Sequence, residues 1–145
     1  MNAYKELFVR TLSALKEDIA SYKNEADIWI LKGEIKNTPG NLAMHLCGNL
    51  KHTIGKVLGG ANYTRNRDGE FSARDISKDG ILKEIDGTID MIGPVLDRLT
   101  TTDLAKPWPE DTFGEGQTIG SILMRILYHF GYHAGQVNYH RRILD

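Results

Sequence analysis

Disulfide chemistry is the first thing this sequence lacks. It has a single cysteine, Cys47, among 145 residues, so no intramolecular disulfide can form. A chain of this length can bury a real core without disulfides or a structural metal. The lone cysteine suits a reducing compartment, so a cytoplasmic protein is expected. An excess of charge of one sign is also missing: Lys and Arg number 18, Asp and Glu 19. A formal net charge of −1 offers no electrostatic attraction for nucleic acid or an anionic membrane surface. No apolar run approaches the roughly 18 residues needed to span a bilayer. The opening "MNAYKELFVR" has early charges and no apolar core of a secretory leader. Internal repeats, low-complexity tracts and a composition shift that would mark a boundary are absent too. Residues 1–145 are therefore expected to form one domain.

What the sequence has is helical periodicity. From Ala3 to Lys23, Phe8, Leu12, Leu15, Ile19 and Tyr22 recur at spacings of three and four, one stripe of an amphipathic helix. A second helix is predicted from "NTPGNL", with Thr38 as N-cap and Pro39 at the first helical position. It ends at Gly59-Gly60. A third spans about Ser77 to Leu99, and Pro94 inside it predicts a kink or a break near Gly93. A fourth starts near Thr118 and runs to the end. Four such stripes predict an all-α four-helix bundle. The connections are uneven. "ANYTRNRDGEFSARDI", between helices two and three, is long and highly charged. Long loops in a compact domain tend to be functional or to serve as crossovers.

The last helix carries "LYHFGYHAGQ", with His129 and His133 four residues apart. Positions i and i+4 differ by about 40° around a helix and ~6 Å along it, so both imidazoles can grip one ion. They lie on the inward stripe. A tight transition-metal site needs at least one more protein ligand. Helix two offers His45 or His52, which are too far apart along the axis for both to join; position alone favours neither. The competing reading is a pair of hydrogen-bonded core histidines. Two known metal patterns are excluded. Phe130 stands where a zinc protease of the H-E-x-x-H type has its glutamate, and the paired E-x-x-H motifs of di-iron bundles are missing.

"HFGYHAGQ" resembles the H-x-x-x-H-x-G-Q signature of the DinB-like (damage-inducible) superfamily. "NLAMHLCGNL" resembles the segment that supplies a third histidine in that family, and "RNRDGEF" is similar to a charged segment of one uncharacterised subgroup. The likeness extends over the whole chain. It implies a bundle with one long crossover connection, between helices two and three, frequent homodimers, and a three-histidine divalent metal site. By matched position the ligands are His45, His129 and His133, with His52 a neighbour. Imidazole ligands suit zinc, nickel or iron. Three protein ligands leave a position open, as in catalytic rather than structural metal sites. Characterised members of the superfamily include thiol S-transferases that use low-molecular-weight thiols. The resemblance thus implies a metal-dependent transferase or hydrolase acting on a small molecule, a thiol among the candidates.

Other residues are read from their positions. Gln136 follows His133 by three and either orients an imidazole or bonds a neighbouring helix. Arg65, Arg67 and Glu70 sit in the long loop. If that loop folds over the metal, the arginines can bind an anionic substrate group; otherwise they form a solvated charged loop. Gly131 and Gly135 would let another helix or a partner copy approach. His140 lies about 10 Å beyond His133 and is left out of the site. Cys47 faces away from His45 and is not expected to act as ligand or nucleophile. Trp108 either covers one end of the bundle or lines a pocket. The competing function is a non-catalytic metal-binding or interaction protein with the same fold.

Overall fold

In the computed structural model, which describes residues 2–145, each long helix begins at a side-chain cap. The Asn2 side chain accepts from Tyr4 N–H and opens α1 (Ala3–Ala20). α1 stops three residues short of the predicted Lys23, and a 3-10 turn follows at Glu25–Trp29. Thr38 Oγ1 accepts from Asn41 N–H at 3.1 Å and opens α2 (Pro39–Leu50). Pro39 takes the first turn, where its missing N–H costs nothing. α2 continues as wider π-helical turns over Lys51–Leu58, which the apolar spacing did not signal. Gly60, with φ +74°, then turns the chain away through a conformation glycine adopts without strain.

The charged connection holds a short helix of its own, α3 (Arg67–Ser72), capped by Asn66. Ser77 opens α4 (Lys78–Arg98), which stays helical through Pro94, so the break considered near Gly93 does not occur. A capping box at Thr100 and Asp103 starts α5 (Thr101–Leu104). A bridge between Pro107 and Thr118 closes the base of the next loop. Another capping box, Thr118 with Ser121, starts α6 (Ile119–Leu144). No strand occurs among the described residues, and the architecture is all-α.

Side-chain pairs set the helix directions. Lys5 pairs with Asp97 and Lys16 with Asp86, so α1 and α4 are antiparallel. Tyr4 meets Gly120, while Asp18 meets Asn138 and Arg141, so α1 and α6 are parallel. Gly55 lies against Met91 and Gly59 against Val95, so α2 and its π-helical extension run parallel to α4. The bundle is up-down-down-up, with α4 and α6 each packed on both α1 and α2. Two parallel neighbours force the chain between them to travel back along the bundle. Residues 59–77 are that long crossover. Phe8, Leu12, Leu46, Leu50, Ile85 and Ile122 are fully or almost fully buried in the shared core. Burying a side chain of this kind stabilises the fold by roughly 1.5–3 kcal/mol. No described helix is long and apolar enough to cross a membrane.

Candidate metal centre

The antiparallel packing of α6 on α2 brings His45 to His129 and His133. One ring nitrogen from each of the three lies within 4.8 Å of the others. His129 Nε2 and His133 Nε2 are 3.1 Å apart. Two nitrogens bound tetrahedrally at zinc, each ~2.0–2.1 Å from the ion, stand about 3.3 Å apart. The rings are nearly perpendicular to one another, at 83° to 88°, so the three edges converge rather than stack. His45 is buried, while His129 and His133 are half-buried, so the cluster lies at the margin of the bundle.

Two of the outer nitrogens, those of His133 and His45, have partners that set the tautomer. His133 Nδ1 donates to Gln136 Oε1 at 2.6 Å, which leaves its Nε2 lone pair facing His129. His45 Nδ1 donates to Glu70 Oε1 at 3.1 Å, which leaves its Nε2 free for an ion. A carboxylate behind a histidine fixes ring orientation and raises the basicity of the far nitrogen. Glu70 is only 6% exposed, and a buried carboxylate needs its charge answered. Arg65 answers it with two bonds of 2.9 Å, Nε to Oε2 and Nη2 to Oε1. Burial pushes the His45 pKa down to about 4, although the bond and charge of Glu70 pull it upward. Burial, and then the charge of His133, lowers His129 as well. These two imidazoles are therefore neutral at neutral pH, the form that binds metal. The donor set fits a divalent transition ion.

The crossover delivers this support. Asn41, one helical turn before His45, is buried and donates to the carbonyls of Glu70 and Ala73 at 3.0 and 2.9 Å. That pair of bonds docks α3 onto α2. Phe71 lies against the His45 ring with centroids 4.7 Å apart, and Arg67 lies over Phe71 on the exposed side. So Arg65 and Glu70 join the histidine cluster, whereas Arg67 faces outward and makes no direct contact with it. Gly48 of α2 faces the Glu70 carboxylate with no room for a Cβ between them. Sequence reasoning missed Asn41, Phe71 and Gly48. The four-residue spacing of Asn41 from His45 was the available signal for the first. The other two depend on where the crossover lands.

The remaining candidates lie apart. His52 Nε2 is 3.4 Å from Glu110, and His52 Nδ1 is buried without a partner among the described residues. His140 is a satisfied core histidine. Its Nε2 donates to the Ile30 carbonyl and its Nδ1 accepts from the Tyr22 hydroxyl, both at 2.8 Å. Cys47 is fully buried, and burial pushes its thiol up to about 12, which leaves no thiolate for chemistry. Trp108 is buried edge-on to Phe113.

A family model described as "Protein of unknown function (DUF1572)" matches residues 1–145. The chain belongs to this family. No curated protein matches the DUF1572 chain in sequence. Among solved structures, it is similar to one titled "Crystal structure of the conserved protein of locus from Enterococcus faecalis". That likeness has a TM-score of 0.75 and 13% identity, covering 98% of this chain and 96% of that one. At this identity the likeness concerns the fold alone.

Proposed function

We propose that this DUF1572 protein is a divalent-metal-dependent enzyme of the DinB-like type, with His45, His129 and His133 as the metal ligands. The observation that carries the proposal is the convergence of three imidazole nitrogens within 4.8 Å, drawn from two helices. When bound there, a divalent ion supplies Lewis-acid chemistry at an open position. The protein's own part is to hold His45 through Glu70 and Arg65, and His133 through Gln136. Burial keeps His45 and His129 deprotonated. The half-exposed side of the cluster leaves access for a small molecule. The narrower reading is a transferase acting with a low-molecular-weight thiol. It rests on the resemblance of "HFGYHAGQ" and "NLAMHLCGNL" to DinB-like motifs.

Elemental analysis of tag-free protein tests the metal reading. About one equivalent of zinc, nickel or iron per chain is expected, and His133→Ala should lose it. Protein that takes up neither zinc nor nickel at neutral pH would overturn the reading. A thiol-transfer assay on the metal-loaded protein then tests the narrower one. We also propose a homodimer formed along the outer face of α6. Met124, Tyr128 and Tyr132 are 64%, 78% and 59% exposed there, and Gly131 and Gly135 have open space beside them.

A further inference from the structure

A cleft of about 660 Å³ opens beside the histidine cluster, and His133 and Gln136 form part of its wall. Its floor is Pro39 and Leu42 at the start of α2. Tyr139 and Ile143 of α6 stand on one side, and Ile35 of the α1–α2 connection stands on the other. Tyr139, Ile143 and Ile35 are 67%, 59% and 43% exposed, an unusual amount of apolar surface to leave in water around one cavity. The volume lies in the range of small-molecule sites, which are typically ~300–1,000 Å³ with apolar walls and a few polar groups at one end. Here the polar groups at the cluster end are His133 and Gln136.

Charge narrows the ligand further. Three neutral imidazoles leave the full double charge on a bound divalent ion, which favours an anionic head group. Lys32, Glu34 and Lys36 stand at the cleft, one positive charge in excess, and neither lysine is in an ion pair among the described residues. We infer that this cleft binds the alkyl or aryl body of an amphipathic small molecule whose anionic head sits at the three histidines. The position of the head rests on the metal reading above; the seat of the apolar body does not.

A chain-length series separates the two. The probes are acetohydroxamate and the straight-chain hydroxamates from four to eight carbons, titrated into zinc-loaded and metal-free protein. Each methylene that enters the cleft should tighten Kd about threefold to fourfold. The same slope should appear with and without zinc, and zinc should add a constant gain from the head. Replacing Ile35→Ser and Ile143→Ser together should flatten the slope while zinc content stays that of the parent. In the parent protein, the methyl resonances of Leu42 and Ile143 should shift with the eight-carbon hydroxamate and stay in place with acetohydroxamate. A Kd independent of chain length, an unchanged slope in the double variant, or unmoved methyl resonances would overturn the cleft assignment. Equal affinities with and without zinc on an intact slope would leave the cleft standing and remove the metal reading instead.

Discussion

Glu70 owes its seat to what is missing at residue 48. A Cβ on Gly48 would lie 1.9 Å from Glu70 Oε2 and 2.6 Å from its carboxyl carbon. Such an atom must displace the carboxylate that holds His45. Glu70→Gln removes the charge and keeps the shape, whereas Gly48→Ala keeps the charge and moves it. Removing the partner of a metal-binding histidine commonly costs about 10–100-fold in affinity. Both variants should therefore weaken zinc binding by about that factor in competition with a chromophoric chelator, with far-UV circular dichroism retained. Parent-like affinity in both would show that the Glu70–His45 bond contributes nothing to the site.

α6 holds two sorts of histidine on one helix. His129 and His133 meet His45, while His140 ties the end of α6 to Ile30 and to Tyr22 beyond α1. Burial holds the Tyr22 phenol well above the usual tyrosine range, so it remains a hydroxyl donor. Tyr22→Phe leaves His140 Nδ1 buried without a partner, a loss of about 1–3 kcal/mol. Urea unfolding should register that loss while zinc content stays unchanged. Spacing placed His140 on the face of His133 but too far along the axis. The π-helical turns of Lys51–Leu58 left no signal in the apolar spacing, and α3, though capped locally by Asn66, is docked by Asn41 from another helix. The Thr38 cap and the helix starts at Ser77 and Thr118 were legible, since each of these side chains bonds within three residues of itself.

At the scale of the molecule, folding is linked to acid through the buried cluster. The unfolded chain protonates His45 near pH 6.5, the folded one near pH 4. Between those values the unfolded state binds more protons, so stability falls as pH drops from 6.5 towards 4. His45 alone accounts for roughly 3 kcal/mol across that window, and the lowered His129 acts in the same direction. Urea midpoints of metal-free protein at pH 7, 5.5 and 4.5 should decline in that order. A flat series would mean that His45 titrates as it does in the unfolded chain. Zinc should raise the midpoint at pH 7 and lose that effect on acidification, because protons compete for the same nitrogens. Pairing along α6 belongs to this scale too: Tyr128→Glu should shift the protein towards monomer in sedimentation velocity. A parent already monomeric at tens of micromolar would remove the dimer proposal.

The sequence by itself determined the four long helices, the Thr38 cap and the single facing pair His129 and His133. Each of these rests on neighbours within one or two turns, and apolar periodicity reports them directly. It left His45 and His52 equal by position, with the resemblance choosing between them. Tertiary structure decided which histidine reaches the pair. The antiparallel packing of α2 on α6 brings in His45 and leaves His52 beside Glu110. It also decided the fate of the charged loop. Because α2 and α4 run parallel, the crossover must pass along the bundle, and that path carries Arg65 and Glu70 onto His45 while Arg67 faces outward. No local pattern encodes such a path; it follows from where two distant helices pack.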